Sequence, residues 1–189
     1  YGNRCGHNPA LPRFYLRPAR HKPRPSVLEE AIKKLVNVYH HPKRFINILS
    51  RFHPENRQKR SERREAIAAV SQVLLHFLEL ETLQVGFYTV SGVFISLDLA
   101  YIAKHAGLTF ARAKRAIADM VRAGYIKLTR QFDKKEDGNI QGLASIREVT
   151  VSFFTDLGVD AHRLFAMREW KRKRQEKAFA KQGRKKLRG

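Results

Sequence analysis

Apolar residues recur at helical spacing over most of the chain and switch to alternation in two places. In SVLEEAIKKLVNVYH, residues 26–40, Leu28, Ile32, Leu35 and Val36 share one face, and Ser26 with Glu29 has the form of a capping box. A short helix fits PKRFINILSRF. SERREAIAAVSQVLLHFLEL predicts a longer helix, capped by Ser61, with Ile67, Val70, Leu74, Phe77 and Leu78 at helical spacing. The period then changes. VGFYTVSGVFIS contains two β-rich runs around Ser91-Gly92, a hairpin signal. Ser96 is the expected cap of the next helix, which carries Leu97, Leu99, Ile102 and Ala103 and ends at Gly107. Thr109 caps the one after, which runs to about Ala123 and stops at Gly124. YIKLTRQF and SIREVTVSFF both read as strands, separated by a polar loop containing Asp137-Gly138. Asp160 opens a final helix through AHRLFAMREWKRKRQEKAFAKQG, and no internal repeat is present.

The stretch LTFARAKRAIADMVRAGYIKLTRQFD places three cations within four residues of one helix. At 100° per residue, Phe110, Ala113, Ile117, Met120 and Val121 form a single apolar stripe centred near Ile117. Arg112, Arg115, Asp119 and Arg122 point the other way, Ala111 and Ala118 lie beside them, and Lys114 sits at the margin. Helix, Gly-containing turn, capped second helix and strand–loop–strand is the order of a winged helix–turn–helix. The expected fold is therefore α+β and mainly helical, a winged helix–turn–helix with a basic N-terminal arm and a basic C-terminal helix. In that fold the second helix enters the major groove of DNA. Thr109, Ala111, Arg112, Lys114, Arg115 and Arg122 are the expected contacts, with small alanines permitting close approach. Lys134 and Lys135, at the tip of the wing, are expected along phosphate. A solvated basic helix, or a winged helix used for protein contacts, would present the same pattern.

Charge shifts the balance toward nucleic acid. Across 189 residues, 38 Lys and Arg stand against 17 Asp and Glu, a formal charge of +21. Such a charge repels itself in any compact state and calls for a polyanionic partner. It is unevenly spread: residues 1–25 hold six basic residues, five of the seven prolines and no acid. That composition predicts an extended arm, from which Arg20, Lys22 and Arg24 would reach DNA. Residues 168–189 carry eleven basic residues and two acids, and Lys171, Arg172 and Arg174 are the expected phosphate contacts there. Beyond Lys171 the last helix has almost no apolar face, so residues 171–189 are expected to fray without DNA and to order on it. Trp170 is expected to pack with Leu164, Phe165 and Met167, a role as a base-stacking residue being the alternative. The resulting division is a basic arm over 1–25, a helical region over 26–58, a winged-helix DNA-binding domain over 59–158 and a basic helical extension over 159–189.

Other classes find little support. No run of about 18 apolar residues exists to span a bilayer, and no signal peptide is apparent, so no membrane partner is expected. Cys5 is the only cysteine, which excludes an intrachain disulfide and suits a reducing bacterial cytoplasm. The chain begins at Tyr1 rather than Met, as a piece of a longer protein would. His40 and His41 are adjacent and do not share a helical face, so no metal is expected. No His-x-His occurs, which argues against the nicking enzymes of rolling-circle replication. No Gly-rich loop followed by Lys-Ser/Thr is present for nucleotide hydrolysis. No catalytic residue, cofactor or enzymatic activity is expected.

A family resemblance runs over roughly residues 45–183. The order NRQKRSERREAIAAV, FYTVSGVFISLDLAYIAKHAGL, ARAKRAIADMVRAGYIKLTRQFD, EVTVSFFTDLGVD and REWKRKRQEKAFAKQG resembles the RepA-type replication initiators of enterobacterial plasmids, of the IncFII and IncL/M kind. The resemblance implies a protein that binds double-stranded DNA at the plasmid origin, controlling copy number, and helps host replication proteins (initiator and helicase) open it. It also implies that the helix Thr109–Ala123 reads DNA, and that relatives continue beyond a point equivalent to Gly189. A winged-helix transcriptional repressor is the alternative of similar architecture. Most repressors carry a dedicated dimerisation or ligand domain, and the short basic flanks here favour the initiator.

Overall fold

A computed structural model describes residues 6–52, 60–89, 91–134 and 140–186, of which 133–134, 140–141 and 178–186 are described by their backbone. The architecture is α+β, mainly helical, with two small antiparallel sheets. Helix α1 (Ser26–His40) is followed by a single 3-10 turn (Pro42–Phe45) and the short α2 (Ile46–Ser50). Helix α3 (Ser61–His76) leads into the hairpin β1 (Gly86–Tyr88) and β2 (Phe94–Ser96). Helices α4 (Leu99–His105) and α5 (Phe110–Arg122) come next, then the ribbon β3 (Ile126–Lys134) and β4 (Ile140–Val149). The short α6 (Val151–Asp156) and the long α7 (Ala161–Lys186) close the chain.

The organising element is α3. Every residue from Glu65 to His76 is buried, because α1 packs on one side of it and α5 on another. A helix enclosed this way cannot show a single apolar stripe, and its small residues Ala66, Ala68 and Ala69 allow the close approach. From α1, Val27, Leu28, Ala31, Leu35 and Val38 face inward. One apolar core runs from Tyr15 through these helices to Phe153, Phe154 and Leu164.

The two ribbons follow from local chemistry. Gly92, at φ +83°, makes the β1–β2 turn. Gly86 is required for a different reason, since a Cβ there would collide with the Ile95 carbonyl and the Phe94 ring. β3 pairs antiparallel with β4 from Ile126↔Val149 to Lys134↔Ile140, with a register shift between Thr129 and Gln131. The segment before β1 joins this ribbon: Val85 N donates to Arg147 O at 2.8 Å and Val149 N to Leu83 O at 2.9 Å.

Four local expectations change. Asp98, not Ser96, caps α4, its carboxylate accepting from Tyr101 N at 2.6 Å. Ser26 and Ser61 lie inside their helices, behind Pro25 and Arg60. Glu29 accepts from Arg24 N at 2.9 Å in place of the capping box. The run VSFF, read as strand, lies in α6 (Val151–Asp156), where Phe153 and Phe154 both enter the core; a strand would turn them to opposite faces.

The arm also differs. Residues 6–25 form no regular element, yet they lie on the core as a strap. Arg13 N donates to Glu65 Oε1 at 2.7 Å and Tyr15 N to Gln72 Oε1 at 2.9 Å. Tyr15 and His7 are buried. The strap turns on itself at Leu11 N to Asn8 O and His21 N to Pro18 O, and between these turns α3 supplies polar side chains to receive its backbone.

Candidate nucleic-acid interface

The segment joining α4 to α5 is built for a sharp reversal. Gly107, at φ +64°, ends α4, and Leu108 is buried beside it. Thr109 then caps α5 as expected, its hydroxyl accepting from Arg112 N at 3.4 Å.

The facing of α5 is rotated by roughly a quarter-turn from the expected stripe. Ala113, Ala116, Ile117 and Met120 are buried, but Phe110 and Val121, assigned inward, are exposed. Arg112 and Asp119, assigned outward, are only 6% and 1% exposed. Each meets a complementary charge on α3. Arg112 donates to Glu65 Oε2 at 2.5 Å and to Glu62 O at 3.0 Å. Asp119 receives two hydrogen bonds from Arg63, at 2.6 and 2.8 Å. A charge inside a core persists only when paired and hydrogen-bonded, and both are. Glu65 in addition takes the Arg13 backbone and His7 Nδ1, the latter at 3.0 Å. Burial alone would raise the Glu65 pKa, but the hydrogen bonds from Arg13, Arg112 and His7 outweigh it and hold it below the usual carboxylate value. The Arg63 guanidinium is pushed up, first by its hydrogen bonds to Asp119.

Arg112 therefore leaves the set of outward residues. The remaining ones do share a surface: Thr109, Ala111, Lys114, Arg115, Ala118 and Arg122 are all exposed. Arg115 Nε rests on Ala111 O at 3.3 Å, and Arg122, 69% exposed, lies 3.7 Å from Asp119. Around them stand exposed cations from neighbouring elements, Lys104 on α4 and Lys127 and Arg130 on β3. These three cations are scattered over two elements and form no run in the sequence, so they are not among the expected contacts. Lys134 ends β3, while its side chain and Lys135, the two expected phosphate contacts of this ribbon, lie outside the described residues.

The strap and the tail divide differently. Arg20 and Lys22 are exposed, but Arg24 is turned inward, its guanidinium donating to Leu78 O. Burial lowers the Arg24 pKa, opposed by Glu79 and Glu29. α7 continues past Lys171 to Lys186, while residues 187–189, which the expected fraying also covers, lie outside the described residues. Charge pairs replace the missing apolar face: Glu169 with Lys173 at 2.9 Å, Arg172 with Glu176 at 3.8 Å, and Lys171 with Glu79. Arg172 and Arg174 are exposed. Trp170 does not pack on the core; it is 59% exposed, and Phe165 49%.

Among the described residues no group of three or more His, Cys, Asp or Glu could hold a metal ion. No helix among them is long and apolar enough to cross a membrane. In comparison with known proteins, the model of the IncFII RepA protein family matches residues 7–188. No curated protein and no solved structure matches the chain.

Proposed function

This chain belongs to the IncFII RepA protein family, and is thus a RepA-type plasmid replication protein; from that premise we propose that it binds duplex DNA of the plasmid origin sequence-specifically through a winged helix–turn–helix. The observation that carries the reading is the outward face of α5. Ala111, Lys114, Arg115, Ala118 and Arg122 recur at three- and four-residue steps on one exposed surface that contains no acid. The pattern suits a helix in the major groove, where small residues allow close approach and arginines form bidentate pairs with guanine. In this reading α4 supports α5, and β3–β4 is the wing, with Lys127 and Arg130 against phosphate.

Burial supports a division of roles in this reading. Arg63 and Asp119, with Arg112 and Glu65, lock the inner face of α5 to α3, so that the outer face is presented by a rigid element. Arg20, Lys22, Arg172 and Arg174 supply affinity through phosphate rather than sequence. The protein acts by binding, without chemistry of its own, in the cytoplasm of a bacterial host. Origin opening and helicase loading with host replication proteins are proposed on family grounds alone.

A nuclease footprint over plasmid DNA containing the replication origin tests the reading. We expect one or more discrete protected sites, lost on sequence scrambling and weakened steeply by salt. Protection that is uniform along the fragment would leave only a nonspecific polyanion binder.

A further inference from the structure

We propose that Trp170 and the cations next to it on α7 form a second nucleic-acid site, which takes unpaired bases of single-stranded nucleic acid by stacking. Trp170 is a large aromatic ring left 59% exposed at the head of residues 171–177 of α7, all of them charged or polar. The Arg174 guanidinium lies 5.3 Å from the ring centroid, a cation–π arrangement that orients the indole. By helical spacing Ala166, Trp170, Lys173, Arg174 and Lys177 lie along one face, and all are exposed. The acids of this stretch, Glu169 and Glu176, lie about a quarter-turn away. Glu169 takes up Lys173 at 2.9 Å and Glu176 approaches Arg172 at 3.8 Å, while Arg174 and Lys177 have no recorded acidic partner among the described residues.

This chemistry selects its ligand. An exposed π face flanked by unpaired cations fits a flat, electron-rich ring joined to an anion, which is a nucleotide whose base is free to stack. Bases within a duplex are already stacked and offer no face to an indole. A lipid surface is a poor match, because the face has one apolar residue of any size and no apolar stripe to insert. From Trp170 to Lys177 the helix rises about 10 Å, room for a stacked base and the phosphates beside it. The site lies on α7 and does not depend on α5 reading duplex DNA.

Trp170 is the only tryptophan in the chain, so its intrinsic fluorescence reports on this site alone. The full chain is titrated with oligothymidylate, with heparin, with polyglutamate and with a random duplex. Stacking predicts strong quenching by oligothymidylate and little by the other three, even where they bind through charge. In anisotropy measurements, Trp170→Ala should weaken oligothymidylate binding about tenfold to a hundredfold, Trp170→Phe should retain most of it, and duplex affinity should not change. Trp170 is exposed, so its replacement leaves the fold intact, which a melting curve verifies. Arg115→Ala, run alongside, should leave the quenching as it is. The proposal is overturned if heparin or polyglutamate quenches as strongly as oligothymidylate, or if Trp170→Ala binds the oligonucleotide as tightly as the parent chain.

Discussion

Replacing Arg112 by Ala distinguishes a structural cation from a base-reading one. In the fold Arg112 is 6% exposed, and its guanidinium spans Glu65 Oε2 at 2.5 Å and Glu62 O at 3.0 Å. Truncation removes both hydrogen bonds and leaves Glu65 at 0% exposure with a net charge no longer balanced by an arginine. Breaking a buried pair by deleting one partner costs about 3–5 kcal/mol. The Arg13 amide and His7 still reach the carboxylate, which places the expectation near the lower end, at about 3 kcal/mol. Urea unfolding at neutral pH measures it as a fall in midpoint with the slope unchanged. Arg112→Met with Glu65→Gln should recover much of the loss, because a neutral amide oxygen still accepts from the Arg13 amide while no desolvated charge remains. Binding assayed at a temperature where the variant remains folded should keep its preference for the origin over random duplex. A loss of stability under about 1 kcal/mol together with loss of that preference would refute the inward assignment and return Arg112 to the DNA.

Other outcomes can be stated more briefly. Ala118→Glu, on the exposed face of α5, should abolish duplex binding by bulk and charge while leaving the melting temperature nearly unchanged; normal binding would remove this face from the interface. Tyr15→Ala should destabilise the fold by about 3–5 kcal/mol, since the strap's ring is buried; an unaltered unfolding curve would mean that the strap contributes nothing to the core. Burial holds His76 down to about 4, with Arg24 and His21 adding repulsion. The folded state then binds fewer protons than the unfolded chain between that value and 6.5, so stability falls as pH drops through this window, by up to about 3 kcal/mol, and is unaffected above it. His76→Phe should flatten this part of the stability profile, and a profile identical to that of the parent chain would exclude His76 as its source.

The order of elements was legible because turns and caps are local. Gly107, Thr109, Gly124 and Asp160 each act within a few residues, and each lies where the helix boundaries fall. The facing of α5 was not legible from that helix alone. A hydrophobic wheel sends every charge to solvent, whereas Arg112 and Asp119 are held inside by Glu65 and Arg63 of another helix. A signal existed in α3, where Glu65 stands beside the apolar run AIAAV and a buried carboxylate demands a cation. The strap was hidden for a related reason. Proline and arginine content describes what a segment lacks internally, not the Glu65 and Gln72 side chains waiting 52 and 57 residues away. In α6, β-branched and aromatic residues favoured a strand by local preference, and the core that receives Phe153 and Phe154 together decided otherwise.

The claim that the outer face of α5 reads the origin is tested most directly by one ratio. Affinities of Arg115→Ala for origin duplex and for scrambled duplex are measured at a single salt concentration and compared with those of the parent chain. Arg115 is exposed and among the described residues is bonded only to the Ala111 carbonyl of its own helix, so the substitution leaves the fold alone. The account predicts a loss of about 1–3 kcal/mol on the origin and a clearly smaller loss on scrambled DNA. Equal losses on both would make Arg115 a phosphate contact, and would contradict the assignment of α5 as the helix that reads bases.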